Sequence, residues 1–398
     1  MDTIAPEKVG FSTDRLGRIH PVMQAYVDQK KLPGIITLVS RRGKVVHFER
    51  FGLMDIESNK PMQADTIFRI YSMTKPITSV AMMMLYEEGR FQLDDPISKF
   101  IPAFADVKVF GKTNDGKIKL SDLEREITIH NLMTHTSGLT YAFHEASPVD
   151  AMYQEAGLLN RDQTLQEMVQ ELVKLPLVNQ PGTVWRYSVS TDVLGHLVEL
   201  IANMPFDAFL EQRIFAPLHM TDTGFYVPKE KIDRFAALYS PADNGRLELT
   251  DPPATGEYSK PPSLFSGGGG LVSTTADYVQ FAQMVLNGGE LDGTRLLGRK
   301  TIEFMTTNHI PDQLLPFQTA RVHHGFGYGL GFGVIMNVAK SQVLGSINTC
   351  AWGGAASTHF WIDPKEELLG VIMTQFSPSF YYPIFQQFKV LTYQALVD

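Results

Sequence analysis

The stretch FRIYSMTKPITSVAMMMLYEEG, residues 68–89, decides how the rest of the chain is read. A serine and a lysine three apart, Ser72 and Lys75, stand just before a strongly apolar run. That run reads as a buried helix, which puts Ser72 at its N-terminal turn and Lys75 one turn on, on the same face. A serine hydroxyl is a poor nucleophile until a neighbour takes its proton, and the amides at a helix start favour a developing oxyanion. The plainer reading is a helix cap at Ser72 and an exposed lysine. This is the only Ser-x-x-Lys in the chain, yet residue frequencies alone give about one such match in a sequence of this size, so support has to come from elsewhere.

The surroundings organise around that helix. Upstream, Leu16, Ile19, Met23, Tyr26 and Val27 follow helical spacing, and GIITLVSRRGKVVHFERFG reads as a hairpin with its turn at Arg41 to Lys44. From about 77 to 310 the signals are mainly helical, with stripes at Leu165, Met168, Val169, Leu172 and Val173 and at Val193, Leu194, Leu197, Val198 and Ile201. A polar, Pro-rich stretch without clear period runs from about 226 to 264, far longer than an ordinary connection, and loops of that length often wall an active site. After about 325 the pattern returns to strands, in FGYGLGFGVIM, LGSINTCAWGG, STHFWID and ELLGVIMTQF, with turns at Gly353 and Gly354 and at Asp363 to Glu366. A final helix is expected near Pro383 to Leu396, with Ile384, Phe388, Leu391 and Ala395 on one face. Strands at both ends therefore enclose a helical insert, which gives an α+β fold: residues 1–75 and 310–398 as a lobe with an antiparallel sheet, and 76–309 as a mainly helical lobe with long active-site loops.

Composition narrows the function. The 398 residues are 44% hydrophobic and 20% charged, those of an ordinary globular protein. The net charge of -8 is spread along the chain without runs, which argues against nucleic acid as a partner. The N-terminal MDTIAPEKVGFSTDRL has neither a basic region nor an apolar core, and the longest apolar stretch, Val80 to Tyr86, is too short to span a bilayer. A cytoplasmic protein with no membrane partner is the expectation. The single cysteine, Cys350, allows no intrachain disulfide and reads as apolar packing.

Several hydrolase and nucleotide motifs fail. There is no Gly-x-Ser-x-Gly elbow and no His-Glu-x-x-His, the pair His130 and His135 lacks a carboxylate at ligand spacing, and Gly-Lys-Thr at 111–113 has Asp106 where a phosphate loop needs its first glycine.

Two further elements carry chemistry. In PGTVWRYSVSTDVLGHLVEL, Tyr187 comes just before an amphipathic helix, where a tyrosine is able to act as a base if a lysine ammonium stabilises its phenolate. Tyr187 and Lys75 then form a coupled pair, and the sequence leaves open which holds the proton. A tyrosine at the rim of a core is the commoner case. In NTCAWGGAASTHFWIDP, two glycines inside a strand pattern let a backbone or a ligand approach closely, and amides from such an edge would complete an oxyanion hole with Ser72; a simple bulge or turn is the alternative.

In order and spacing, Ser-x-x-Lys at Ser72, Tyr-Ser-Val at Tyr187 and Trp-Gly-Gly at Trp352 resemble the serine hydrolases with the class C β-lactamase and penicillin-binding-protein (DD-peptidase) fold. NLMTHTSGLT, 131–140, and FSGGGGLVSTTADYVQF, Phe265 to Phe281, match further stretches typical of that group. The resemblance covers nearly the whole chain, and its nearest branch is the family VIII carboxylesterases.

It implies a β-lactamase/transpeptidase-like fold, an antiparallel sheet flanked by the terminal helices plus a mostly helical lobe, with the cleft between them. It also implies Ser72 as the acyl-enzyme nucleophile, Lys75 and Tyr187 as its proton carriers, the amides of Ser72 and Ala355 as the oxyanion hole, and Trp352, Gly353 and Gly354 lining the cleft. No metal or organic cofactor is implied. Two departures bear on substrate, since Val189 and Trp352 stand where the β-lactamases and peptidases carry the asparagine of Tyr-x-Asn and the lysine of a Lys-Thr-Gly strand. A lost charge-assisted hydrogen bond weakens carboxylate recognition by roughly tenfold to a hundredfold. The expectation is therefore a carboxylesterase acting on small, uncharged, short-chain esters, with Val189, Trp352 and Trp185 forming an apolar acyl pocket. The alternatives are a β-lactamase, a D-amino-acid peptidase or an acyltransferase of the same fold, with His359, His323 or His324 as sources of positive charge, and a non-catalytic ligand sensor.

Overall fold

A computed structural model describes residues 1–112, 118–144, 147–243 and 245–398. Thr113, which closes the Gly-Lys-Thr decoy, lies outside them.

Its centre is one eight-stranded antiparallel sheet. In chain order the strands used below are β1 (Gly34–Arg41), β2 (Lys44–Asp55), β3 (Lys60–Pro61), β4 (Ile67–Arg69), β5 (Val272–Thr274), β6 (Phe326–Tyr328), β7 (Gly333–Ile335), β8 (Cys350–Gly353), β9 (His359–Asp363) and β10 (Leu368–Met373). The helices are α1 (Ile19–Asp28), α2 (Thr74–Glu87), α3 (Leu165–Leu172), α4 (Ser190–Ala202), α5 (Thr275–Leu286) and α6 (Ile384–Tyr393). The sheet order is β6-β7-β8-β9-β10-β1-β2-β3, so the C-terminal strands add to the open edge of the N-terminal hairpin, and β4 pairs with β5 outside it.

Because side chains alternate across a strand, each face of the sheet has its own core. Ile35 and Val39 of β1, Trp361 of β9 and Leu368 and Ile372 of β10 pack with Phe11, Leu16, Ile19 and Met23 and with Phe388 of α6. Their neighbours Ile36, Leu38, Phe360, Ile362, Val371 and Met373 point the other way, into the core built on α2, α4 and α5. The terminal helices thus cover one face and the helical segments the other, as expected from α+β patterning.

The strands after 325 fall where the pattern placed them, except that FGYGLGFGVIM holds two, β6 and β7, joined through Gly329 to Gly331. The polar stretch 226–264 carries structure that its sequence hides: a hairpin pairs Leu238–Pro241 with Leu247–Asp251, and short turns flank it. It is tied down by Arg69, fully buried, whose Nε donates to Asp251 at 2.7 Å.

Helix α2 is buried on every side from Thr74 to Leu85, so it is a central core helix rather than an amphipathic one. Helix α4 packs against it and is buried over most of its length. Among the described residues no single helix is long and apolar enough to cross a membrane. Cys350 is fully buried in β8, and burial pushes its thiol up to about 12.

Candidate active site

The chain reaches Ser72 through a constrained turn. β4 pairs with β5, Tyr71 adopts a left-handed φ of 41°, and a single 3-10 turn at Tyr71–Met73 runs into α2. Left-handed backbone is costly for a non-glycine residue and persists only where its surroundings enforce it. Here the Tyr278 hydroxyl donates to the Met73 carbonyl at 2.9 Å and the Leu271 amide donates to Thr74 Oγ1 at 3.2 Å.

One helical turn later Lys75 is 1% exposed, with its ammonium in a cage of three acceptors. Nζ donates to Ser72 Oγ at 3.3 Å, to the Tyr141 hydroxyl at 3.0 Å and to the Gly268 carbonyl at 2.6 Å. Those three bonds use all the hydrogens of an ammonium. Nζ also lies 4.4 Å from the ring centroid of Tyr187, over its face rather than on its hydroxyl.

Tyr187 enters from the turn before α4. Its oxygen accepts from the Trp352 indole at 3.4 Å. An indole N–H only donates, which leaves the phenol's own proton, or the lone pair that remains once it has gone, free to face the cavity. Trp352 in turn projects from β8, whose end carries Gly353, Gly354 and Ala355 along the cavity wall. A Cβ at Gly354 would stand 2.3 Å from the Ile70 carbonyl, so a side chain there would push β8 away from the serine turn. Among the described residues the Ala355 amide has no acceptor, and Ala355 is exposed to the cavity, as an oxyanion donor must be.

The cavity has a volume of about 670 Å³ and is walled by Ser72, Tyr141, Tyr187, Trp352 and, from the polar stretch, Glu257, Tyr258 and Leu264. Two expected wall residues are not on it. Val189 is 1% exposed at the start of α4, where its amide bonds the Thr140 carbonyl at 3.2 Å. Trp185 stands behind Tyr187, stacked on it at 6.1 Å and packed against Phe317 and Tyr328. Both pack in the core behind the site, and the cavity wall carries instead the apolar side chains of Phe143, Leu159, Phe317 and Phe326.

The histidines also differ from expectation. Burial pushes His323 down to about 3 and His359 well below its ordinary value, so both are neutral near pH 7, and His324 is not on the cavity wall. His130 pairs with His309 at 3.3 Å and His135 is buried against Tyr187, at 4.9 Å between rings. Among the described residues no three His, Cys, Asp or Glu side chains converge at metal-binding distance.

Three site residues escape sequence reasoning. Tyr141 directly follows the NLMTHTSGLT stretch and binds Lys75. Asp192, five residues after Tyr187 and fully buried, accepts from the Ser266 hydroxyl at 2.5 Å and the Gly268 amide at 3.0 Å. Gly268, in the glycine run, needs its missing side chain: a Cβ would stand 2.5 Å from Asp192 Oδ2 and 2.7 Å from the Tyr141 oxygen. The signal was present, since both stretches are typical of the resembled group, but contacts across 66 and 193 residues of chain are not readable from spacing.

Asp192 also sorts the two tyrosines. Burial, then the Asp192 charge, hold Tyr141 far above its ordinary value, so it keeps its proton. Burial raises Asp192 as well, and the nearby Lys75 charge works against that rise. Tyr141 therefore lies between the Asp192 carboxyl and the Lys75 ammonium, while Tyr187 has that ammonium over its ring face and the Trp352 donor on its oxygen.

A long antiparallel sheet, terminal helices on one face and a Ser-x-x-Lys cluster in the cleft define the class: the serine hydrolases with the β-lactamase fold. The chain belongs to the Beta-lactamase family, whose family model matches residues 19–383. It is 37% identical over 359 residues to Protein Rv1367c of Mycobacterium tuberculosis (strain ATCC 25618 / H37Rv), covering 88% of each chain. It is 28% identical over 394 residues to Esterase EstB of Burkholderia gladioli, covering 94% of each. Among solved structures it superposes on EstCE1, a hydrolase with promiscuous acyltransferase activity, with a TM-score of 0.82 at 24% identity over 96% of this chain and 99% of that one.

Proposed function

We propose that the protein is a carboxylesterase that works through an acyl-Ser72 intermediate. The observation that carries this is the bond between Lys75 Nζ and Ser72 Oγ at the floor of a large cavity that Tyr187 also lines. Ser72 Oγ attacks the ester carbonyl as its proton passes to the Tyr187 and Lys75 pair. The amides of Ser72 and Ala355 take the oxyanion. The pair then returns the proton to the departing alkoxide, which leaves as the alcohol. Water repeats the cycle: it attacks the acyl carbonyl, gives its proton to the same pair, and Ser72 regains it as the acid is released. Tyr141 keeps its proton throughout and positions Lys75. The relationship to Esterase EstB supports an ester as the substrate.

A second reading follows from the size of the cavity. A space of about 670 Å³ holds an acyl group and an alcohol together, which suits transfer to an alcohol in place of water.

Turnover of 4-nitrophenyl butyrate by the wild type and by Ser72→Ala, with a chromogenic cephalosporin in parallel, tests the proposal. Ester turnover that disappears in the alanine variant, with an acyl adduct on Ser72 by mass spectrometry in the wild type, is the expected result. Turnover that survives the substitution would remove Ser72 as nucleophile. Faster cephalosporin than ester cleavage would make a β-lactamase the better reading.

A further inference from the structure

Arg321 lies in the segment before β6 and lines the same cavity as Ser72. Its guanidinium sits 4.5 Å over the Phe380 ring, and one of its N–H groups reaches the side-chain oxygen of Gln386. Among the described residues no carboxylate pairs with it. Burial alone lowers its pKa, with no negative group acting in the other direction, and a guanidinium stays charged regardless. A desolvated cation without a counter-charge is unfavourable, and in a cavity open to substrate the missing charge is one that a ligand brings.

The other groups on the wall sharpen this. His323 and His359, both in the field of Arg321, are neutral and stack on Phe317 and Phe385, so they shape the space without competing for an anion. Lys389 adds partial positive charge, since burial lowers it to about 8. Among the described residues Glu257 is the only carboxylate on the wall, and it shares its surroundings with Arg161 around Tyr258. Among the described residues the wall thus carries three cationic side chains, Arg161, Arg321 and Lys389, and one carboxylate, in a chain of net charge -8.

We propose that Arg321 anchors a carboxylate-binding subsite, so that the preferred esters carry a carboxylate away from the bond that is cleaved. The proposal rests on the acyl-serine reading of Ser72 and replaces uncharged esters with acidic ones as the substrate class. The strand lysine whose absence argued for neutral substrates is replaced by a cation from a different segment of the chain.

Two matched pairs test it, one with the carboxylate on each side of the ester: mono-4-nitrophenyl adipate against 4-nitrophenyl hexanoate, and 4-acetoxybenzoate against its methyl ester. In at least one pair the acidic ester should have the higher kcat/KM, by about tenfold or more, and the preference should shrink as ionic strength rises. Arg321→Gln should cut that ratio by about tenfold, and Arg321→Lys should restore part of it. A merely structural role for Arg321 would lower both members of a pair and leave the ratio intact, which would overturn the proposal. Equal rates within both wild-type pairs, without salt dependence, would overturn it even if the variants failed to fold. Absence of all ester turnover would instead be a failure of the acyl-serine reading, and the Ser72→Ala comparison separates the two.

Discussion

Trp352 donates its indole N–H to the phenol oxygen of Tyr187 across 3.4 Å, which joins the end of a sheet strand to the start of a core helix at the centre of the cleft. The bond is long, so its value lies in orientation as much as in energy. Trp352→Phe keeps an aromatic ring and removes only the donor. We expect kcat to fall about threefold to tenfold, with unchanged far-ultraviolet circular dichroism. An unaltered kcat would show that Tyr187 is oriented by stacking on Trp185 alone.

The two tyrosines on Lys75 have different surroundings and should give different variants. Tyr187→Phe removes the group proposed to move the proton and should cost at least about a hundredfold in kcat. Tyr141→Phe removes one acceptor from the Lys75 ammonium and should cost nearer tenfold. Steady-state kinetics on 4-nitrophenyl butyrate checks the order, and a reversed order would exchange the roles of the two phenols.

At Gly268 a single methyl group is too much. Gly268→Ala would place a Cβ against Asp192 and Tyr141, forcing the loop, and with it the carbonyl that holds Lys75, out of position. Activity should fall at least about a hundredfold, while the surrounding fold, anchored by α2 and α4, stays cooperative in thermal melts. Near-wild-type kinetics would show that the Gly268 carbonyl is not needed to hold the lysine.

Lys389 predicts a pH-dependent stability. Its ammonium is 2% exposed and donates no hydrogen bond among the described residues, and burial lowers it to about 8. Its pKa in the fold is depressed below that of the unfolded chain, so the unfolded state binds more protons between about pH 8 and 10.5. Stability from this group is therefore present above the upper limit and lost as pH falls through about 8. Lys389→Met should be more stable than the wild type at pH 7, on the order of 2 kcal/mol, with the gap closing towards pH 10. Thermal melts across that range check it, and a constant difference would assign the effect to packing.

What the sequence disclosed follows the range of the interactions involved. The hairpin at Arg41 to Lys44 and the turn that sets Ser72 beside Lys75 depend on neighbours within a few residues, and both stand where local pattern put them. The glycines after Trp352 marked a close approach, and Ile70 is what they approach. Val189 and Trp185 each stand two residues from Tyr187, but adjacency along the chain does not say which way a side chain faces at a helix start, and both face the core. Asp192 and Arg321 were silent because a charged residue acquires meaning from burial and from the charges around it, which no local pattern carries. The first strand of the hairpin in 226–264 shows no alternation to read, because Leu238 and Tyr239 are buried one after the other, while the strand paired with it is only half-buried.

The pairing of β1 with β10 has a consequence for how each molecule is made. Strand β1 leaves the ribosome with β2 on one side and nothing on the other, because the partner of its free edge begins at Leu368. Through most of synthesis the nascent chain therefore carries an unpaired, apolar strand edge, the kind that recruits other chains. Closure of that edge also brings up the neighbouring strands that carry Trp352 to Ala355. Loss of the last strand should thus produce insoluble protein rather than a weakened enzyme, and hydrolytic competence should appear only when the sheet is complete.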